Sequence, residues 1–293
     1  MYSTNSGVVP TTTATVRYLA NSVQPSLLRN GKVGTKRAPT GDDDIWFGNT
    51  IEERKVLMHN ARENPNISLD IEGFELHKND ISDEDLISID FWNFKDVVTR
   101  YIYFLYIYIY IYLYLYDIYN FKIVLKNHRY YPAIEEFVKK VTGAQHVFCF
   151  DHNLRNSTYV EQKNTSSKTQ KPIPQVHTDY TPTSAPKRLL DLTQKPKTND
   201  SYTAFRSIED QEKPLIPSEL MKKCSRFCML NVWRSVSDKG PIQQFPLAVC
   251  AADTLKYPED FVVFEIQYKD RIGENWFVRD SVNSTISNHH HKW

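Results

Sequence analysis

The sequence predicts an α+β chain, with helices in its first half and a barrel or sandwich of strands in its second. Two observations carry this reading. Helical periodicity dominates the segments before residue 150, and short alternating runs divided by turn signals dominate those after residue 220. The bulk numbers allow it. The chain has 293 residues, 41% hydrophobic and 24% charged, enough for a sizeable core in a single domain spanning 1–293.

Taken in order, residues 1–15 are rich in Ser and Thr and read as a loose N-terminus. Apolar clusters follow at Val16 to Leu19 and Ile45 to Phe47. Residues 51–62 read as a helix, and Ile71 to Leu76 alternates apolar with polar, which favours a strand. Phe91 to Arg100 and Pro132 to Val141 read as helices. Pro132 suits a first helical turn, and Gly143 supplies a C-terminal stop. Val147 to Phe150 is a short buried strand candidate, and residues 153–173 form a polar loop. Strands are then expected at Phe227 to Trp233, Ala248 to Ala251, Phe261 to Tyr268 and Asn275 to Val278, with Gly-Pro, Tyr-Pro and Arg-Ile-Gly turns between them.

Residues 101–116 read YIYFLYIYIYIYLYLY. A membrane-spanning helix wants about 20 apolar residues with Tyr kept to the interfaces, which this run does not respect. A genuine edge strand of this composition would template aggregation. The third reading is translated intron, because an in-frame TA repeat encodes alternating Tyr and Ile. The Arg-Tyr pair at Arg100-Tyr101 recurs at Arg129-Tyr130, and removing 101–129 joins two helical patterns into one. The expectation is therefore a Tyr/Ile-rich insertion over 101–129 that is foreign to the fold.

Lys and Arg total 36 against 35 Asp and Glu, a net charge of +1. A nucleic-acid or anionic-membrane partner needs a basic excess, so neither is expected. Cys224 and Cys228 resemble half of a metal clip, but no second half with zinc spacing follows Cys149, Cys224, Cys228 and Cys250. The thiols read as reduced. Met1 to Pro10 lacks the basic and apolar regions of a secretory signal, so a cytoplasmic location is expected.

The strongest chemical signal is Gln175-Val176-His177-Thr178-Asp179-Tyr180. In a strand, residues i and i+2 point to one face. An imidazole nitrogen of His177 and a carboxylate oxygen of Asp179 then converge. They supply two corners of a two-His, one-carboxylate triad, which leaves positions open on Fe(II) for a 2-oxo acid and O₂. The runs PQVHTDYTPTSAPKRLLDL, FDHNLR, FCMLNVWRSVSDKGPIQQFPLAVCAADT and DRIGENWFVRDS occur in that context. Together they resemble the AsaB-type hydroxylase/desaturase family, related to the cephamycin methoxylation protein CmcJ and the fungal gibberellin desaturase. The resemblance runs from about Trp92 to the end, apart from the tract.

That resemblance implies a jelly-roll (double-stranded β-helix) core, Fe(II), 2-oxoglutarate as cosubstrate, and oxidation of a small secondary metabolite. It places His177 and Asp179 on the iron. Asn231, Trp233 and Arg234 match an Asn-X-Trp-Arg block. There Arg234, with Asn231, would meet a carboxylate of cosubstrate or substrate, and Tyr180 and Trp233 would line the substrate pocket. Asp151 and His152 fit the family pattern without an assigned role. In the family a distal His and a 2-oxoglutarate-anchoring Arg follow a His-X-Trp stretch. Here that stretch is His291-Lys292-Trp293. The expectation is a core truncated before both groups, with His289 to His291 solvated. A catalytically inactive scaffold or binding protein is thus the alternative to an active oxygenase.

Overall fold

A computed structural model describes residues 11–36, 50–77, 130–153, 155, 172–197, 200, 202–203, 206–235, 242, 244–267, 272–280 and 291–293. The apolar cluster at Ile45 to Phe47, the helix expected at Phe91 to Arg100, the Tyr/Ile tract and most of the polar loop lie outside these residues. The chain divides into two compact units. One takes Met1–Lys78, Ile173–Ala185 and Pro246–Trp293; the other takes Asn79–Pro172 and Pro186–Phe245.

The first unit is built on strands. β1 (Thr11–Leu19) pairs antiparallel with β3 (Ile51–His59) across nine positions, from Thr11 opposite His59 to Leu19 opposite Ile51. A second sheet has the order β2-β5-β6-β4. Here β2 (Val33–Lys36) runs parallel to β5 (Phe261–Gln267). β6 (Ile272–Val278) is antiparallel to both β5 and the short β4 (His177–Thr178). β1 reaches this sheet through isolated bridges from Arg17 to Gln175 and from Leu19 to Arg279.

Alternation explains why β5 and β6 form. Val262, Phe264 and Ile266 are buried on one face of β5, and Phe264 and Phe277 meet at 4.4 Å between ring centroids. Val262, Phe264 and Phe277 belong to one core cluster with Leu19, Ala20, Val23 and Val33. A neighbouring cluster gathers Val16, Tyr18 and Val278, with Val56, Met58, Val176, Leu255, Phe261 and Trp293 packed against it.

The second unit is organised by α1, residues 130–142. Its buried positions Tyr131, Ile134 and Val138 recur at helical spacing. Tyr131 joins a core in which Leu192, Tyr202 and Ile216 are also buried, with Tyr130, Phe148, Phe150, Leu189 and Met221 around them. Helix α2 (Ser184–Asp191), which begins in the first unit, helix α3 (Ser218–Lys223) and a 3-10 turn at Ile208–Asp210 are also described. Arg188 ties this unit together, pairing with buried Asp200 at 2.8 Å and lying over the Phe150 ring.

The helix over 130–142 and its stop agree with the sequence reading. Gly143 has φ of +70° and its N–H donates to the Lys139 carbonyl at 2.9 Å, the left-handed cap that glycine tolerates best. Gly143→Ala is expected to cost about 1 kcal/mol, read as a lower urea midpoint with an unchanged slope.

Several expectations are corrected. Residues 11–15 are not loose, because Thr11, Thr12, Thr13 and Thr15 are β-branched residues paired with β3. Residues 51–59 are a strand and not a helix. Glu, Arg, Lys, Leu and Met favour helices locally, but Val56 and Met58 alternate toward the core and the nine-residue pairing with β1 prevails. The described part of the first half is thus largely β. Ile71 to Leu76 opens on a turn, since Gly73 takes φ of +81° and Glu72 folds back so that its carboxylate accepts the Ser68 N–H. Val147 to Phe150, Phe227 to Trp233 and Ala248 to Ala251 pair with no strand among the described residues. Alternation without a partner edge leaves a run extended but outside any sheet. No described helix is long and apolar enough to cross a membrane.

Candidate active site

His177 opens β4 and sits opposite Phe277 of β6, whose ring lies 6.1 Å from the imidazole between centroids. The residue before it, Val176, is held on both sides. The Val176 N–H donates to the Arg17 carbonyl at 2.8 Å, and the Val278 N–H donates to the Val176 carbonyl at 3.2 Å. The side-chain Nδ1 lies 2.8 Å from the Gln175 carbonyl. A carbonyl only accepts, so Nδ1 carries a proton, and in the neutral ring Nε2 carries the lone pair. Nε2 faces the carboxylate two residues on, 3.5 Å from Asp179 Oδ1.

Two such acceptors at this separation repel unless a cation lies with them, either a proton or a metal ion. An octahedral metal with bonds of about 2.1 Å holds neighbouring donors about 3 Å apart, close to what the pair shows. The second ring nitrogen, committed to a backbone carbonyl, is the outer support that metal-bound histidines show. On chemistry and spacing, the pair fits a hard or borderline divalent cation such as Fe(II). His177 is mostly buried and Asp179 is half exposed, so the pair opens to solvent on its carboxylate side. Among the described residues no group of three His, Cys, Asp or Glu side chains could hold a metal ion.

Immediately beyond the pair the chain turns into α2. The Thr181 hydroxyl accepts from the Thr183 and Ser184 amides, while the Ser184 hydroxyl accepts from the Thr181 amide at 2.8 Å. This reciprocal arrangement is a capping box in kind, and it anchors the turn carrying Tyr180. The Thr178 hydroxyl also donates to the Tyr180 carbonyl at 3.0 Å. His177, Asp179 and Tyr180 therefore stand on one short, well-tied stretch of the first unit.

Asn231, Trp233 and Arg234 belong to the second unit. They lie on an extended segment and not on a strand, and Trp233 is half exposed. The Arg234 Nε donates to the Ser235 carbonyl at 3.2 Å, while its Nη1 is buried without a hydrogen-bond partner. An uncompensated buried guanidinium nitrogen is costly, and a carboxylate is the group that satisfies it best. Tyr130 stands near enough to feel Arg234: burial pushes its phenol up and the guanidinium charge pulls it back. In the Phe150-Asp151-His152 stretch, His152 Nδ1 meets the Tyr131 hydroxyl at 3.0 Å, which ties this stretch to α1.

Sequence reasoning missed three contributors. The Gln175 carbonyl and the Phe277 ring were unassigned, although Gln175 stands two residues before His177 and so shares its side of the strand. Tyr130 was hidden at the edge of the tract. All four cysteines are free thiols, and Cys224 and Cys228 are exposed. Of the terminal histidines, His291 is described and is buried, with a side chain only 3% exposed, contrary to the solvated run expected. Both its ring nitrogens are engaged by neighbours.

Comparison with known proteins adds to this geometry. Residues 125–293 match the family model described as an oxidoreductase/YMDC permease-like domain. The uncharacterized protein in the dcmA 3' region of Methylophilus leisingeri is 34% identical over 228 residues, covering 75% of this chain and 89% of that protein. The hydroxylase/desaturase CTB9 of Cercospora beticola is 28% identical over 237 residues, or 75% of this chain and 55% of CTB9. The Fe(II)/2-oxoglutarate-dependent dioxygenase nvfI of Aspergillus novofumigatus is 30% identical over 132 residues, 45% of this chain and 36% of nvfI. The match thus spans about half of CTB9 and about a third of nvfI. A solved structure of the iron and alpha-ketoglutarate-dependent endoperoxidase NvfI superposes with a TM-score of 0.53 at 17% identity, covering 97% of this chain and 78% of that one, which shows a shared fold.

Proposed function

We propose, for a chain that belongs to the AsaB-type hydroxylase/desaturase family of iron- and 2-oxoglutarate-dependent oxidoreductases, that His177 and Asp179 hold Fe(II) and that the reaction is hydroxylation or desaturation of a small metabolite. The observation that carries this is the 3.5 Å approach of His177 Nε2 to Asp179 Oδ1, with Nδ1 committed to the Gln175 carbonyl. The jelly-roll core is part of the same reading.

When bound, Fe(II), 2-oxoglutarate and O₂ together supply abstraction of hydrogen from an unactivated C–H bond. The chain's own residues bind and orient. The Gln175 carbonyl fixes the His177 tautomer, so that Nε2 is a donor without losing a proton first. Phe277 shields one side of the imidazole. Arg234, with Asn231 beside it on the same segment, takes a carboxylate of cosubstrate or substrate through its buried Nη1. Tyr180 in the first unit offers aromatic surface to an apolar metabolite, and Trp233 offers the same kind of surface in the second. Hydroxylation and desaturation share the first hydrogen abstraction and diverge by how the substrate is held afterwards.

The experiment is succinate formation from 2-oxoglutarate by the whole chain with Fe(II), ascorbate and O₂, set beside Arg234→Ala. A lost charge-assisted hydrogen bond is worth about 1.5–3 kcal/mol, so KM for 2-oxoglutarate, or for a carboxylate-bearing substrate, should rise roughly ten- to hundredfold. An unchanged KM for both would remove carboxylate binding from Arg234. Absence of Fe(II)-dependent succinate in the parent chain would contradict the proposal as a whole.

A further inference from the structure

The segment 291–293 builds a closed hydrogen-bond chain inside the first unit. Trp293 Nε1 lies 2.9 Å from the Tyr18 hydroxyl, which lies 3.0 Å from His291 Nδ1; His291 Nε2 lies 3.1 Å from Asp260 Oδ2. The directions follow from the donors. An indole N–H can only donate, so the Tyr18 oxygen accepts from Trp293 and its own proton goes to His291 Nδ1. Burial pushes the Tyr18 phenol up, so it keeps that proton. His291 then carries its hydrogen on Nε2 and gives it to Asp260, whose Oδ2 also accepts the Lys256 N–H at 2.7 Å. Tyr18, Asp260 and the His291 side chain are buried and Trp293 is partly buried, and both ring nitrogens a metal could use on His291 are taken.

The backbone continues the tie. The Trp293 carbonyl accepts from the His59 N–H, the Lys292 carbonyl from the Ala251 N–H, and the Lys292 N–H donates to Thr254 Oγ1. Segment 291–293 therefore reaches β3, the turn before β5 and, through Tyr18, β1. Tyr18 follows Arg17, whose carbonyl receives the Val176 N–H, and Val176 precedes His177. Tyr18, Val176 and Trp293 also share one apolar cluster.

We propose that His291 is a positioning residue and not an iron ligand: linked to Tyr18, Asp260 and Trp293, it locks β1 against the strand that presents His177. The positioning half of this rests on the reading that His177 holds the metal.

The test uses the full chain with Co(II) as an optical probe, together with thermal melts of metal-free protein. Tyr18→Phe removes one hydroxyl and strands two donors or acceptors, and His291→Ala removes the centre of the chain. Each should lower Tm of the metal-free protein by roughly 5 °C. Each should weaken Co(II) binding on the order of tenfold while leaving the position of the Co(II) absorption unchanged, the range typical of outer supports. Asp260→Asn keeps an acceptor for the His291 Nε2–H and should restore most of both properties that Asp260→Ala loses. His177→Ala should abolish Co(II) binding with little change in Tm. An unchanged Tm in Tyr18→Phe and His291→Ala overturns the clasp. Loss or displacement of the Co(II) absorption in His291→Ala, matching His177→Ala, makes His291 a ligand and overturns the proposal. Undiminished Co(II) binding in His177→Ala sinks the iron reading and the positioning role with it, and the metal-free melts distinguish that failure from failure of the clasp. Because Tyr18→Phe conserves shape, it answers even if His291→Ala does not fold.

Discussion

His177→Ala is expected to abolish Fe(II)-dependent succinate formation while leaving the fold in place. Both halves follow from the site. The imidazole contributes the donor best held in the pair, with the preceding Val176 backbone tied to β1 and β6 and its own Nδ1 to Gln175. Removing it leaves Asp179, half exposed, as the remaining member of the pair. Loss of an outer support alone costs about 10–100-fold in metal affinity, so loss of a direct ligand should cost more than about 100-fold. The stability cost should stay below about 1 kcal/mol, since the backbone bonds survive and the site is open to water on one side. Fe(II) affinity by anaerobic equilibrium dialysis and a urea melt check the two halves. Turnover within a few-fold of the parent would remove His177 from the chemistry.

Phe264→Ala should have the largest effect on stability. Phe264 is fully buried, packs against the Phe277 ring at a tilt and sits in the cluster that joins β1, β2, β5 and β6. Truncating such a ring costs about 3–5 kcal/mol through lost transfer energy and the cavity left behind. Whole domains are stable by about 5–15 kcal/mol, so the variant would keep a thin margin. Because Phe277 stands directly across from His177, the loosening should reach the metal pair and lower Fe(II) affinity as well. A urea midpoint corresponding to a loss below about 1 kcal/mol would contradict the assignment of this core.

What was legible in the sequence was local. The helix at 130–142, its glycine stop, and strands β5 and β6 follow from periodicity and turn residues close to each other in the chain. The sequence suggested that His177 and Asp179 would approach each other, and they lie 3.5 Å apart, but the strand ends at Thr178 and the bend at Asp179, not strand alternation, brings the carboxylate to the imidazole. Long-range partners decided the rest. Residues 51–59 carry good helix formers, and only β1, some forty residues earlier in the register from Thr11 to Leu19, makes them a strand. Phe227 to Trp233 alternates as a strand should, but alternation does not supply a neighbour. His291 read as one of three solvated histidines, because nothing in its own neighbourhood announces Tyr18 or Asp260.

The central claim is that His177 and Asp179 form a cation site and not merely an ion pair between side chains. The measurement that tests it most directly is anaerobic equilibrium dialysis of the full chain against Fe(II), with Asp179→Asn and His177→Ala alongside. The account predicts one bound Fe(II) per chain in the parent, a large loss of affinity in Asp179→Asn, and none bound in His177→Ala. If the parent binds no Fe(II), or binds it equally well in both variants, the 3.5 Å approach of these two side chains is an ordinary proton-bridged pair, and the site lies elsewhere.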